Sequence, residues 1–357
     1  MGLKVLHSGD LHLDSPFSGF PEDQRQRLRE AQKALPEELT RLCREQKADL
    51  VLLAGDVFDG PYQKKTAALL ADCLEDCGVP VFITPGNHDY DGLDSPWQRE
   101  LWPGNVHIFR GNMSYVDLDN LDCRVYGGGY RSMDCPGLLE GFRAEPGPRF
   151  LLGVLHGDAL NGKSPYCPVT AEQVAASGLQ YLALGHTHKG GSFTAGSTLC
   201  AWPGCPMGRG WDETGRKGML LAELTDRVKL YTLPVRLPAF LEETVDISDG
   251  AAEALGRILP PVDSGDYYRV TLTGRGSPDI PGLRKQFSHL PFLELRDRTR
   301  VPLDPWALAG EDSLPGVCLG LLKQRYEQAP TQEEGEQARL AAELVARLLE
   351  GEEVTLP

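Results

Sequence analysis

The 357-residue chain contains no apolar run near the ~20 residues that a membrane-spanning helix requires. Its longest apolar stretches, Leu50 to Ala54 and Phe150 to Leu155, have the length of strands. A transmembrane segment is therefore excluded, and no membrane partner is expected. The opening Met1-Gly-Leu-Lys-Val-Leu-His has no signal-type hydrophobic region, and position 6 is Leu where a myristoylation signal needs Ser or Thr. A cytoplasmic chain is expected. Positive charge is also short: 36 Lys and Arg face 51 Asp and Glu, for a net charge of −15. This argues against a free-standing, tight nucleic-acid binder, which carries net positive charge. Zinc-type cysteine spacing is missing as well. The nine cysteines are scattered, and the close pairs Cys73/Cys77 and Cys200/Cys205 have no matching partner pair. They read as reduced, mostly buried thiols. No internal repeat or low-complexity tract occurs. What is present, 41% hydrophobic and 24% charged residues, is the composition of a globular protein, and the length suggests about two domains.

Residues 3 to 8 read as a strand. A helical stretch follows from about Glu22 to Lys47, with Leu28, Ala31, Leu35, Leu39 and Leu42 on one face. Pro36 inside it must kink the helix or start a second one. Asp49 to Ala54 reads as a strand, 64 to 77 as a helix and Val79 to Thr84 as the next strand. Short strands follow at Val106 to Phe109, Ser114 to Asp117, Arg124 to Gly127, Phe150 to Leu155 and Tyr181 to Leu184. Thr170-Ala-Glu-Gln173 is a capping box opening a short helix. β-like segments continue to about Val235. This alternation indicates a two-sheet α/β layer structure over residues 1–237.

Pro234 and Pro238 mark a boundary. Beyond it, strand, helix, strand, helix and strand form a small α/β module over 238–300, and 301–357 reads as a linker and two C-terminal helices. Leu340, Leu344, Ala346, Leu348 and Leu349 are expected to form an apolar stripe on the last helix. Residues 1–237 carry 24 basic and 30 acidic residues, net −6, and 238–357 carry 12 and 21, net −9. The acidic tail either docks a partner or packs on its own domain.

Five of the eight histidines lie in tight motifs at predicted strand ends: Asp10-Leu-His12, Gly86-Asn-His-Asp89, His156-Gly-Asp158 and Gly185-His-Thr-His188. Gly55-Asp56 adds a carboxylate. Strand ends followed by glycine turns are where α/β sheets present ligands. Asp10/His12 and His186/His188 are two residues apart, so on extended chain each pair shares a face. Mixed carboxylate, amide and imidazole donors suit manganese, iron or zinc. Two such ions need a bridging carboxylate, and Asp56, standing alone after an apolar strand, is the natural one. His7, His107 and His289 lack this context and read as structural or surface residues.

The ordered series Asp-x-His, Gly-Asp, Gly-Asn-His-Asp, His and Gly-His-x-His resembles the calcineurin-like metallophosphoesterases over residues 1 to about 235. Asp-Leu-His-Leu-Asp-Ser-Pro-Phe at 10–17 and Ala-Gly-Asp-Val-Phe-Asp at 54–59 look like the DNA-repair exonuclease branch, which includes the SbcD nuclease subunit and YhaO-type relatives. The resemblance implies a four-layer α/β/β/α sandwich with a small α/β capping domain and C-terminal helices. It implies that Asp10, His12, Asp56 and His188 hold one divalent ion and Asp56, Asn87, His156 and His186 a second, usually Mn²⁺. His88 would contact or protonate the scissile phosphate, with Asp89 orienting it from behind. DNA as substrate, an SbcC-like coiled-coil ATPase as partner and a homodimer are the associations it implies.

Asp59 departs from the SbcD pattern, which ends Gly-Asp-x-Phe-His. It reads either as a substrate-side carboxylate or as a hydrogen-bond acceptor within the fold. Asp14 in Asp-Ser-Pro reads as an ordinary turn residue. Tyr130 and Arg131, after three glycines, either reach a substrate phosphate or sit in a plain loop. Trp202 and Arg209-Gly-Trp211 are candidates for lining a groove. The leading expectation is a DNA exonuclease or endonuclease. A small-molecule or nucleotide phosphodiesterase or phosphatase would use the same metal site, and a non-catalytic scaffold would be expected to lack a ligand.

Overall fold

The computed structural model describes residues 2–300 and 304–351. The first residues of the expected linker, 301–303, and the end of the chain, 352–357, lie outside the described residues. The chain divides into two compact units. One runs to Leu241 and takes back Gly265–Tyr267. The other holds Glu242–Ser264 and the described chain from Tyr268 onward.

The first unit contains two six-stranded sheets. Its strands in chain order are β1 (Leu3–Ser8), β2 (Leu50–Ala54), β3 (Val81–Thr84), β4 (Val106–Ile108), β5 (Ser114–Leu118), β6 (Cys123–Gly127), β7 (Phe150–His156), β8 (Tyr181–Gly185), β9 (Lys189–Ala195), β10 (Thr198–Gly204), β11 (Gly218–Leu224) and β12 (Val228–Pro234). One sheet is ordered β12-β11-β1-β2-β3-β4 and the other β5-β6-β7-β8-β10-β9. Within the first sheet β1 to β4 are mutually parallel, with Val5 beside Leu50 and Val51 beside Val81. The helices are α1 (Glu22–Gln32), α2 (Leu35–Gln46), α3 (Lys64–Asp76), α4 (Pro96–Arg99) and α5 (Ala171–Ala176).

The two sheets pack face to face. Leu3, Val5, Leu50 and Leu52 of one meet Val125, Leu152, Val154 and Ala183 of the other in a single buried cluster. Their alternates Leu6, Val51, Leu53 and Ile83 are fully buried too. Strands buried on both faces carry unbroken apolar runs rather than alternation, which is why β2 reads Leu-Val-Leu-Leu-Ala. α2 and α3 pack against each other, joined by Thr40 Oγ1 donating to Cys73 O at 2.8 Å. The outer face of the second sheet buries Leu182, Leu184 and Cys200 with Val174 of α5. The result is the four-layer α/β/β/α arrangement expected. Pro36 does start a second helix, in whose first turn it sits. Thr170 and Gln173 form the capping box.

The second unit, described by itself, has a three-stranded sheet of β13 (Phe240–Asp246, from Glu242 on), β14 (Tyr267–Thr273, from Tyr268 on) and β15 (Leu293–Asp297), ordered β13-β14-β15. Its helices are α6 (Ala251–Ile258), α7 (Ile280–Gln286), α8 (Leu314–Glu327) and α9 (Gln332–Leu349). α8 and α9 pack together. Of the apolar stripe expected on α9 only Ala346 is buried. The helix buries Ala338, Ala342 and Ala346 at four-residue spacing, while Leu340, Leu348 and Leu349 are exposed. Leu314, Val317 and Leu321 of α8 are exposed as well.

Candidate metal centre

The parallel strands β1, β2, β3, β7 and β8 all end at one edge of the sheet pair, and the motif residues follow directly. Two of the turns are stitched together. Asp10 and His12 donate their backbone N–H to Gly55 O and Asp56 O, both at 2.9 Å. Leu13 and Asp59 continue the pairing, at 2.8 Å to Val57 O and 2.9 Å from Asp59 N to Leu13 O. The β8 end joins when His186 N–H donates to both oxygens of Asp10, at 3.0 and 3.1 Å.

The two-residue spacing does not work by strand pleating. Asp10 (φ 51°), His12 (φ 44°), Asp56 (φ 47°) and His186 (φ 86°) are all left-handed, four of nine such non-glycine residues among those described. A side chain that faces inward here does so because the turn is forced, at a cost on the order of 1–3 kcal/mol each. The glycines serve closeness. A Cβ on Gly86 would collide with the Asp56 carboxylate, and one on Gly55, itself at φ +81°, would meet the His156 ring.

The side chains converge in three overlapping groups: Asp10, His12 and His188; His12, Asp56 and His88; Asp10, Asp56 and His156. One ligand atom from each member lies within 4.8 Å of the others. His12 Nε2 and His188 Nε2 stand 3.1 Å apart. Asp10 Oδ1 is 3.8 Å from His188 Nε2 and Asp56 Oδ2 is 3.7 Å from His12 Nε2. On the other side Asp56 Oδ2 is 3.4 Å from His156 Nε2, which Asn87 Oδ1 also approaches to 2.9 Å. His186 falls outside the three groups. Its ring packs edge-on to His156, and its Nε2 is 4.0 Å from Asp158. Asp56 thus lies between both clusters.

The electrostatics call for positive charge. Asp10 and Asp56 are 1% and 2% exposed, and buried carboxylates are held only with compensation. Burial pulls the His156 pKa down, yet Asp56 outweighs it and carries it up to about 10. A protonated His156 answers the carboxylates; divalent cations do the same with the imidazoles neutral. Two facing Nε2 atoms and a carboxylate between clusters suit the latter, so the donor set fits a metal pair.

The remaining expectations divide. Asp89 does not orient His88. Its Oδ1 accepts from Gly86 N–H at 2.7 Å and its Oδ2 from Val57 and Phe58 N–H at 2.8 and 3.2 Å. It braces the turns that follow β2 and β3, and burial together with nearby Asp56 pushes its pKa up to about 7. Asp59 is the carboxylate on His88, with Oδ1 2.8 Å from Nδ1. That hydrogen bond raises the His88 pKa against the opposing effect of burial. Asp59 also accepts from Ser15 Oγ at 2.6 Å and pairs with Arg209 Nη1 at 3.4 Å. Its charge is spent inside the fold rather than displayed to substrate. Tyr130 is fully buried, edge-on to His156, so its hydroxyl is not offered to a phosphate from solvent. Arg131 is exposed. Trp202 is buried and donates to Lys189 O, so it lines no groove. Asp14 accepts from Gln63 N and Thr66 Oγ1 at the start of α3. His7 is buried between the sheets, against Tyr181 and Leu184.

Glu213 was not singled out by the sequence. Its Oε1 lies 2.6 Å from His188 Nδ1. No local pattern links it to a histidine 25 residues earlier.

Carboxylates and imidazoles gathered at the strand ends of a two-sheet sandwich define a metal-dependent phosphoesterase. The chain belongs to the calcineurin-like phosphoesterase family, whose model matches residues 3–190. It is 34% identical over 241 residues to the uncharacterized metallophosphoesterase YhaO of Bacillus subtilis, covering 63% of this chain and 58% of that one. It is 26% identical over 277 residues to the DNA double-strand break repair protein Mre11 of Aeropyrum pernix, covering 70% and 65%. It is 28% identical over 127 residues to the SbcD component of the SbcCD nuclease of Staphylococcus epidermidis, covering 34% and 30%. The alignments span less than two-thirds of each relative. Among the described residues no helix is long and apolar enough to cross a membrane.

Proposed function

We propose that the chain is a metal-dependent phosphodiesterase acting on DNA. Asp10, His12, Asp56 and His188 hold one divalent ion, and Asp56, Asn87, His156 and His186 hold the second. Mn²⁺ is the metal favoured, with iron and zinc as the other candidates. When bound, the pair supplies an activated water and neutralises phosphoryl charge. The observation that carries the reading is His88, half exposed beside a buried cluster. Its backbone N–H is anchored on Asp56 Oδ1 at 2.9 Å and its Nδ1 on Asp59. The opposite ring edge, Nε2, faces the substrate and donates a proton to the departing oxygen. Asp59 holds the ring in that orientation and favours its charged form.

The names of the archaeal and staphylococcal relatives, which concern DNA break repair and a nuclease, support DNA as the substrate. The net charge of −15 favours a partner that contributes DNA grip, an SbcC-like ATPase in the cytoplasm. Leu314, Val317 and Leu321, spaced by three and four on α8, provide an exposed apolar face for such a partner. A homodimer through the phosphoesterase unit is part of the same reading. The acidic surface also suits a second one, a nucleotide or small-molecule diester as substrate. The test is Mn²⁺-loaded protein on single- and double-stranded DNA beside bis(p-nitrophenyl) phosphate, with H88A as control. DNA cleavage lost in H88A supports the nuclease. Hydrolysis of the small diester alone, unchanged when the ATPase is added, supports the second reading.

A further inference from the structure

Two carboxylates stand behind the cluster, each on the Nδ1 of a different histidine. Asp59 holds His88, and Glu213 holds His188. Arg209 lies between them. Its Nη1 is 3.4 Å from Asp59 Oδ2, its Nη2 is 3.2 Å from Glu213 Oε1, and its own backbone N–H donates to Glu213 Oε2 at 2.7 Å. Arg209 Nη2 is also 3.2 Å from His188 Nδ1. The Glu213 contact is the shorter, 2.6 Å against 3.2 Å, so Nδ1 is taken as the donor to Oε1, and Nη2 shares that oxygen. The guanidinium is mostly buried, with a side chain 23% exposed, and Glu213 is 8% exposed.

We infer that Glu213 and Arg209 are positioning residues for the metal centre, an inference that rests on the two-metal reading above. A neutral imidazole has one N–H. Glu213 can only accept, so that proton is on Nδ1, and Nε2 presents its lone pair toward His12 and Asp10. Glu213 thereby fixes His188 as an Nε2 donor. Arg209 has a different task. Asp59 and Glu213 would repel each other across a partly buried space, and one guanidinium held by both keeps each on its own histidine. The chain His188–Glu213–Arg209–Asp59–His88 thus joins a metal ligand to the proposed acid, through side chains that touch neither metal nor substrate.

The experiment measures metal binding first. Wild type, E213A, E213Q and R209M are stripped with chelator, checked by thermal unfolding, and titrated with Mn²⁺ by calorimetry, with metal content per chain read after dialysis. Wild type binds two ions. E213A binds one of them 10- to 100-fold more weakly, with the other little changed. E213Q, whose amide oxygen still accepts from Nδ1–H, loses clearly less affinity than E213A does. R209M, at saturating Mn²⁺, loses kcat on bis(p-nitrophenyl) phosphate while KM holds. If E213A does not fold, E213D, which withdraws the carboxylate by one methylene, replaces it with the same expectation. Wild-type affinity for both ions in the Glu213 variant overturns the inference, as does an E213Q that falls as far as E213A. Failure of the underlying reading looks different: wild type itself binds no pair of ions, or D56N binds them as well as wild type does.

Discussion

Replacing Asp59 by Asn tests how the proposed acid is held. Asp59 Oδ1 is 2.8 Å from His88 Nδ1, and Asp59 lies mostly inside the fold. At an effective dielectric of about 20, a charge pair at that separation is worth at most about 6 kcal/mol, and solvent at the half-exposed His88 lowers this. The ceiling on function comes from His88 itself. A positioned general acid contributes roughly 10²–10⁴ in rate, or about 3–5 kcal/mol. Asp59 Oδ1 is also 3.6 Å from Nδ1 of His12, so the comparison is made at full metal content. There Asp59 acts through His88, and D59N should not cost more than H88A. Asn keeps an oxygen for Ser15, which donates at 2.6 Å, and it removes the charge and the imidazolium's partner. The expected loss in kcat is about 10- to 100-fold for D59N and roughly 10²–10⁴-fold for H88A. D59N with H88A should be no slower than H88A alone, because residues acting as a unit are not additive. The assay is steady-state hydrolysis of bis(p-nitrophenyl) phosphate at saturating Mn²⁺, with metal content measured for every variant. A double mutant slower than H88A by the full D59N factor would falsify the mechanism, and so would a D59N enzyme as fast as wild type.

Two further outcomes follow from buried groups. Burial pushes the His7 pKa down to about 3, against the raising effect of the Leu184 carbonyl, whereas the unfolded chain titrates near 6.5. The unfolded state therefore binds more protons between those values, and the contribution of neutral His7 is present above about pH 6.5 and lost as pH falls toward 3. Between pH 7 and 5, in chelator, wild type should lose about 2 kcal/mol more than H7Q in urea unfolding; parallel curves would show that His7 is not held neutral. Gly86→Ala places a methyl group against the Asp56 carboxylate, so it should destabilise by about 1–3 kcal/mol and weaken Mn²⁺ binding at both sites, since Asp56 lies between them. Unchanged calorimetric affinity would mean that the turn has room to spare.

The parts of the fold that repeat were legible in the sequence. Leu50–Ala54 declared a strand covered on both faces, Pro36 a helix start and Thr170 a cap, because each rests on a local rule. The histidine motifs declared the strand ends because ligand types clustered beside glycines. What was not legible lay in directions and long spans. Asp89 follows His88 in sequence, yet it turns inward, because the N–H groups of Gly86, Val57 and Phe58 need an acceptor. Asp59, 29 residues before His88, takes the place expected of it. Glu213 reaches His188 only through the fold. On α9 hydrophobicity pointed to leucines, but the helix buries Ala338, Ala342 and Ala346 and leaves Leu340, Leu348 and Leu349 exposed.

The left-handed turns at Asp10, His12, Asp56 and His186 set folding and chemistry against each other. Together their strain is on the order of 4–12 kcal/mol, comparable to the whole net stability of a typical domain. Glycine would relieve it at each of these positions and abolish a donor each time. Stability alone would drive these four positions toward glycine, so the side chains found there are a record of what the molecule keeps in spite of its own foldability.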